Sequence, residues 1–173
     1  MAVYQTHFAE DIVKDEILKK FKNKFNVWIP SKDTGIDILL TDKTNKKVVT
    51  LQVKWSKNYY EDYKDKESYG GWFQIKKNKL ESSIADYWVL VIPSNSEKKF
   101  QFIIVKPSEL IENYVKHGLY EDKINSYIDI RGGKVYEGRG ICNSDRKSHC
   151  YEFPTERELL NCLNRWDKIS DLL

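Results

Sequence analysis

Residues 35–57 read GIDILLTDKTNKKVVTLQVKWSK. Two runs rich in β-branched residues and leucine flank the polar Thr44, Asn45 and Lys46. The stretch therefore predicts a hairpin, with strands over Ile36–Thr41 and Val48–Lys54. Successive side chains of a strand point to opposite faces. Val49, Leu51 and Val53 thus share one face, and Thr50, Gln52 and Lys54 share the other. On the first strand Ile36, Ile38 and Leu40 point one way and Asp37 the other. Burying the two apolar faces together leaves Asp37, Gln52 and Lys54 grouped on the opposite side. Asp42 falls in the turn region and reads as a surface residue.

An acid, an amide and a lysine grouped in this way suit metal-assisted hydrolysis. Carboxylate and carbonyl oxygens match a hard cation such as Mg²⁺, with Mn²⁺ as a substitute. A lysine beside them orients water or offsets charge that develops on a phosphate. The order Asp37, then Gln52-Val53-Lys54, resembles the D…(D/E/Q)-x-K signature of the PD-(D/E)XK superfamily, the restriction-endonuclease-like nucleases. Gly35-Ile36 stands where that family usually carries a proline, and Gln52 replaces the second acid, which removes a charge from the metal site. The resemblance implies an α/β (α+β) core with a mixed central sheet flanked by helices. It also implies a metal held by Asp37, Gln52 and the Val53 backbone carbonyl, with Lys54 catalytic.

Composition agrees with a globular chain. Apolar residues make up 40% of the 173 residues and aromatics 13%, so one domain with a proper core is expected. No apolar run reaches membrane-span length and the first residues lack a signal-peptide pattern. Three cysteines, Cys142, Cys150 and Cys162, do not make a disulfide framework, so a reducing cytoplasm is expected. The net charge is only +3, yet lysines crowd the regions around the hairpin. They read either as a solvated surface or as a local positive face.

Upstream, residues 8–25 (FAEDIVKDEILKKFKNKF) predict an amphipathic helix, with Val13, Ile17, Phe21 and Phe25 along one stripe. Glu10 falls on that stripe, either as a carboxylate favoured by the helix dipole or as a site residue. The resemblance favours the second, because such nucleases often carry a first-helix glutamate that reaches the metal. Residues 26–30 predict a short strand closed by Pro30.

Downstream, residues 55–71 mix five aromatics with alternating charges and predict a loop beside the site, where Lys57, Tyr59 and Tyr60 can contact phosphate or stack on bases. Residues 72–83 (WFQIKKNKLESS) predict a lysine-rich helix, from which Gln74 or Lys77 can reach the site. Residues 86–93 (DYWVLVIP) have the continuous apolar run of a central buried strand. Another strand is expected over 100–105, and a helix from Pro107 to about Gly118. The resemblance covers residues 5–115.

Residues 116–173 read as an extension for DNA recognition or dimerisation. Short strands are expected at 127–131 and 134–136 around Gly132-Gly133. Arg139, Arg146 and Lys147 sit among glycines and polar residues and are candidates for phosphate or base contacts. A helix over 154–173 is predicted from Leu159, Leu160, Leu163, Trp166 and Ile169, with Thr155 as its N-cap. Cys142, His149 and Cys150 lack the close spacing of zinc ligands, and no phosphate-cradling P-loop occurs, so no nucleotide cofactor is expected.

Two readings follow. The first is a Mg²⁺-dependent endonuclease on double-stranded DNA, most simply a restriction-type homodimer with one site per strand, or else a repair or junction-resolving nuclease. The second is a DNA-binding or assembly module that kept the fold and lost the metal.

Overall fold

A computed structural model describes residues 8–22, 24–32, 34–59, 68–93, 99–142, 144–145 and 151–173. The alternation read in residues 35–57 decides its centre. Strand β2 (Ile38–Thr41) pairs antiparallel with β3 (Val48–Trp55), and Ile38, Leu40, Val49 and Leu51 are completely buried on one face. The turn is held by Asp42, whose carboxylate accepts the Lys46 and Lys47 amides at 2.8 and 3.1 Å and the Thr44 hydroxyl, while Asn45 takes a left-handed φ of 56°. Asp42 is therefore the turn's organiser, beyond the surface residue expected.

β3 next pairs in parallel with β5 (Tyr87–Pro93), and β5 pairs antiparallel with β6 (Phe100–Val105). A short β1 (Asn26–Trp28) completes a mixed sheet of five strands in the order β1-β2-β3-β5-β6. Six of the seven residues of β5 are buried, as its unbroken apolar run requires. A two-way contact sets the parallel register: Asp86 accepts the Thr50 amide at 2.7 Å and hydroxyl at 2.8 Å, and its own amide donates to Thr50 Oγ1 at 3.0 Å.

Helix α1 (Phe8–Phe21) covers the first face with Ala9, Val13 and Ile17. Acids occupy its first turn and lysines its last, as the helix dipole favours. It ends earlier than the stripe predicts because Lys22 turns left-handed, although Phe25 still packs on Phe21.

Two expected helices are absent. Residues 69–76 form β4 (Tyr69–Lys76), in which Gly71, Phe73 and Ile75 are buried while Trp72, Gln74 and Lys76 are exposed. That period of two is a strand's, and only Lys77–Glu81 turns helical (α2). β4 pairs with β7 (Lys123–Arg131), which pairs with β8 (Lys134–Glu137) through the Gly132-Gly133 turn, both glycines at positive φ. This second sheet, with α2 and α3 (Pro107–Lys116), packs over β5 and β6 on the other face of the first.

The C-terminal stretch is an irregular strap and not the expected helix. A single 3-10 turn covers Thr155–Arg157, with Pro154 and not Thr155 at its N-cap. Asn161 and Asn164 take left-handed φ values of 51° and 53°, which interrupts helical hydrogen bonding. Residue 158 bridges Tyr136 and residue 163 bridges Ile103, and only α4 (Asp167–Ser170) is α-helical. Trp166 and Ile169 are buried with α1 in the first core, whereas Leu160 is 69% exposed. No helix among the described residues is long and apolar enough to cross a membrane.

Candidate active site

β2 starts two residues later than the sequence predicts, and this produces the site. The β2–β3 ladder ends at Ile38↔Leu51, so β3 runs on past its partner. The backbone amide of Val53 is directed to that vacated side and donates to Asp37 Oδ2 at 2.7 Å. The amide and carbonyl of one strand residue leave the same edge. The Val53 carbonyl is therefore directed to the same side as Asp37. Gln52, 9% exposed, donates its side-chain amide nitrogen to the same Asp37 oxygen. The Asp37 amide in turn donates to the Leu51 carbonyl at 2.8 Å. Asp37 is thus fixed by backbone and side chain together.

Glu10, from the first turn of α1, meets these residues across a cleft of about 430 Å³ that is lined also by Ile29, Pro30, Ser31, Lys32, Ile36, Gln52, Val53 and Lys54. The residues expected to form the centre (Glu10, Asp37, Gln52, Val53 and Lys54) therefore share one cavity. Lys54 projects onto the polar face of β3, where its ammonium lies 5.5 Å from the centre of the Trp88 ring on β5. A cation over an aromatic face is attracted by the ring's quadrupole, which helps to hold the side chain in place. Trp88 is anchored in turn by a hydrogen bond from its indole nitrogen to Ser83 Oγ at 2.9 Å.

A second cavity of about 230 Å³ shares Gln52 and Lys54 with the first and is walled by Lys79, Ser82, Ser83 and Trp88. Lys79 and Ser83 were not singled out in the sequence. Their signal is the period change at Lys77: once 72–76 is a strand, the short helix after it projects its lysine toward the end of β3.

Among the described residues no three histidine, cysteine, aspartate or glutamate side chains gather into a metal-holding cluster. Among the described residues the cleft nevertheless offers a metal ion oxygen donors of the hard type, including two carboxylates, the Val53 carbonyl and the Gln52 amide oxygen. With its nitrogen on Asp37, Gln52 keeps Oε1 as a remaining donor, 4.0 Å from where a Cβ on Gly35 would stand. That donor set fits Mg²⁺ or Mn²⁺ and does not suit a soft metal.

The other nominated residues lie elsewhere. Lys57 and Tyr59 are exposed just beyond β3, and the Tyr59 amide donates to the Gly70 carbonyl at 2.7 Å. Gln74 is on the exposed side of β4, bonded to Asn125, and Lys77 sits over the Tyr120 ring at 4.6 Å. Arg139 is ion-paired to Glu121 at 3.0 Å, and its backbone carbonyl accepts from Arg157. Tyr60, Arg146 and Lys147 lie outside the described residues, as do His149 and Cys150. Cys142 is exposed, whereas Cys162 is buried and its thiol is pushed up to about 12 by that burial.

No protein-family model matches this sequence, and no curated protein matches it. Among solved structures, the chain is similar to the bacterial homing endonuclease I-Ssp6803I over 96% of its own length and 94% of that chain, at 15% identity and a TM-score of 0.44.

Proposed function

We propose that this chain is a divalent-metal-dependent endonuclease of the PD-(D/E)XK type that hydrolyses phosphodiester bonds of double-stranded DNA. One convergence carries the reading: Glu10, Asp37, Gln52, Val53 and Lys54, drawn from a helix, strand β3 and the segment just before β2, line a single cleft. Glu10, Asp37, Gln52 Oε1 and the Val53 carbonyl would hold the metal. When bound, a Mg²⁺ ion polarises the scissile phosphate and lowers the pKa of a water. Gln52 and the Val53 amide keep Asp37 oriented toward the cleft. Lys54 donates hydrogen bonds to the attacking water or to a non-bridging phosphoryl oxygen, where negative charge grows in the transition state. The water oxygen bonds to phosphorus as one phosphorus–oxygen ester bond breaks, and the leaving oxygen takes a proton to end as a hydroxyl. A restriction-type homodimer supplies one such site per strand.

Incubation of the purified chain with supercoiled plasmid tests this. Cleavage in Mg²⁺ or Mn²⁺, abolished by chelator and by Lys54→Ala, is the expected result. Intact plasmid under all metals and protein concentrations, with DNA still retarded on a gel, would favour a DNA-binding module without catalysis. That second reading draws on Gln52, a neutral amide where a further carboxylate would bind the metal more strongly. Cleavage confined to branched or damaged substrates would move the assignment to repair or junction resolution.

A further inference from the structure

Away from the cleft, the three-stranded sheet has an outer face that neither core uses. Pairing of β4 with β7 sets four cross-strand pairs on it: Gly70↔Asp129, which is buried, and the more open Trp72↔Tyr127, Gln74↔Asn125 and Lys76↔Lys123. Their neighbours Phe73, Ile75, Ile124, Ser126 and Ile128 point the other way and are buried. Gln74, Lys76 and Lys123 are exposed and Trp72 is 37% exposed. At β8 the same face is closed, because Phe153 stacks on Tyr136 at 4.9 Å and lies 5.8 Å from the Arg131 guanidinium. Among the described residues the open surface is therefore a ribbon two strands wide.

We propose that this ribbon is a DNA-reading surface that enters the major groove of a duplex, with Gln74 and Asn125 on base edges and Lys76 and Lys123 on phosphates. Three features argue for that occupant. The major groove admits a two-stranded ribbon, and the closure at β8 leaves just that width. Gln74 Nε2 donates to Asn125 Oδ1 at 3.3 Å, which leaves Gln74 Oε1 as an acceptor and Asn125 Nδ2 as a donor on neighbouring side chains. An adjacent acceptor and donor complement the N6 amino group and N7 of adenine. Lys76 and Lys123 are directly opposite on the ladder, a like-charge pairing beside Glu81 and Asp122 that a phosphate between the two ammonium groups would favour.

This rests on the reading of the chain as a DNA nuclease, and the test separates the two. Duplexes bound by the full chain are selected from a randomised pool in Ca²⁺, a metal that commonly supports binding without cleavage, and binding is then measured by fluorescence anisotropy against salt. Lys76→Gln with Lys123→Gln is expected to weaken all duplexes alike and to reduce the slope of log affinity on log salt by about 2. Gln74→Ala with Asn125→Ala is expected to weaken the selected sequence about tenfold, to leave random duplex unchanged and to erase an A·T position from the selected consensus. Matching melting curves establish that the variants are folded. Wild-type affinity, salt slope and consensus in both variants would overturn the proposal while leaving plasmid cleavage, and so the nuclease, intact. Weakened binding by the variants of a chain that never cuts would uphold the ribbon and discard the nuclease. A wild-type chain that binds no duplex DNA overturns both. Equal competition by duplex RNA of the same sequence overturns the groove assignment, because the A-form major groove is too narrow to admit side chains.

Discussion

Asp37, Gln52 and Lys54 show how a one-strand argument becomes a site. Alternation along two strands was enough to group them, because β parity depends only on sequence position. What the sequence did not contain was the late start of β2 at Ile38, which leaves the Val53 amide to turn toward Asp37. Substituting Lys54 by Ala removes the one ammonium on the polar face of β3. Cleavage is expected to fall by about two to three orders of magnitude, while the melting temperature stays close to wild type because only a cation–π contact of about 0.5–1 kcal/mol is lost. Rates from gel densitometry and a thermal melt check both halves. Gln52→Glu is a sharper probe. It exchanges an N–H donor to Asp37 for a second carboxylate on the same spot, so the metal-free protein should melt lower. Millimolar Mg²⁺ should then raise the melting temperature more for the variant than for wild type, since a bound cation stabilises only the folded state. Equal Mg²⁺ shifts in the two proteins would remove Gln52 from the metal centre.

At the scale of elements, β4 is where sequence and structure part most usefully. Phe73–Lys76 alternates apolar and polar, but the lysines around 76–79 and Leu80 continue it at helical spacing, and the two periods overlap within one short window. Only pairing with β7, more than forty residues downstream, decides in favour of a strand. The C-terminal strap failed for the opposite reason. Its apolar residues are spaced as in a helix, yet Leu159, Trp166 and Ile169 reach two different cores and Asn161 and Asn164 break the turns between them. Burial at helical intervals does not require a helix. The seam between the two sheets can be tested at Gly71. A Cβ there would stand 2.8 Å from Ile92 Cδ1 and 2.8 Å from a Phe73 ring carbon, distances that side chains do not tolerate without moving. Gly71→Ala is expected to destabilise the protein by roughly 1–3 kcal/mol through overpacking. A lower urea midpoint at unchanged slope is the expected signature, and an unchanged midpoint would mean the sheets separate more easily than the packing implies.

At the scale of the whole molecule, the second core contains a charge problem that the sequence does not reveal, because it needs the β7–β8 register to be seen. Glu137 is fully buried. Its carboxyl accepts the Tyr127 amide at 3.1 Å, the Arg139 amide at 2.9 Å and the Ser126 hydroxyl. Burial nevertheless pushes it up from 4.5 to about 7, helped by the charge of buried Asp129, while the three donors pull the other way. Tyr114, packed in the same core, is shifted upward by burial and by Glu137. A carboxyl raised on folding holds its proton more tightly in the folded state than in the unfolded one. Its contribution is therefore fully present below about pH 4.5 and is lost as pH rises through about 7. The difference is of order 3 kcal/mol, or roughly 6–12 °C of melting temperature for a chain of this size. Glu137→Gln keeps a carbonyl for the two amides, and its NH₂ can donate to Ser126 once that hydroxyl turns to accept, so the variant has no proton to lose. Wild type is expected to lose melting temperature relative to Glu137→Gln between pH 5 and 8, with the variant the more stable at pH 8. Parallel melting curves across that range would mean that Glu137 is solvated or neutralised in a way its three hydrogen bonds do not explain.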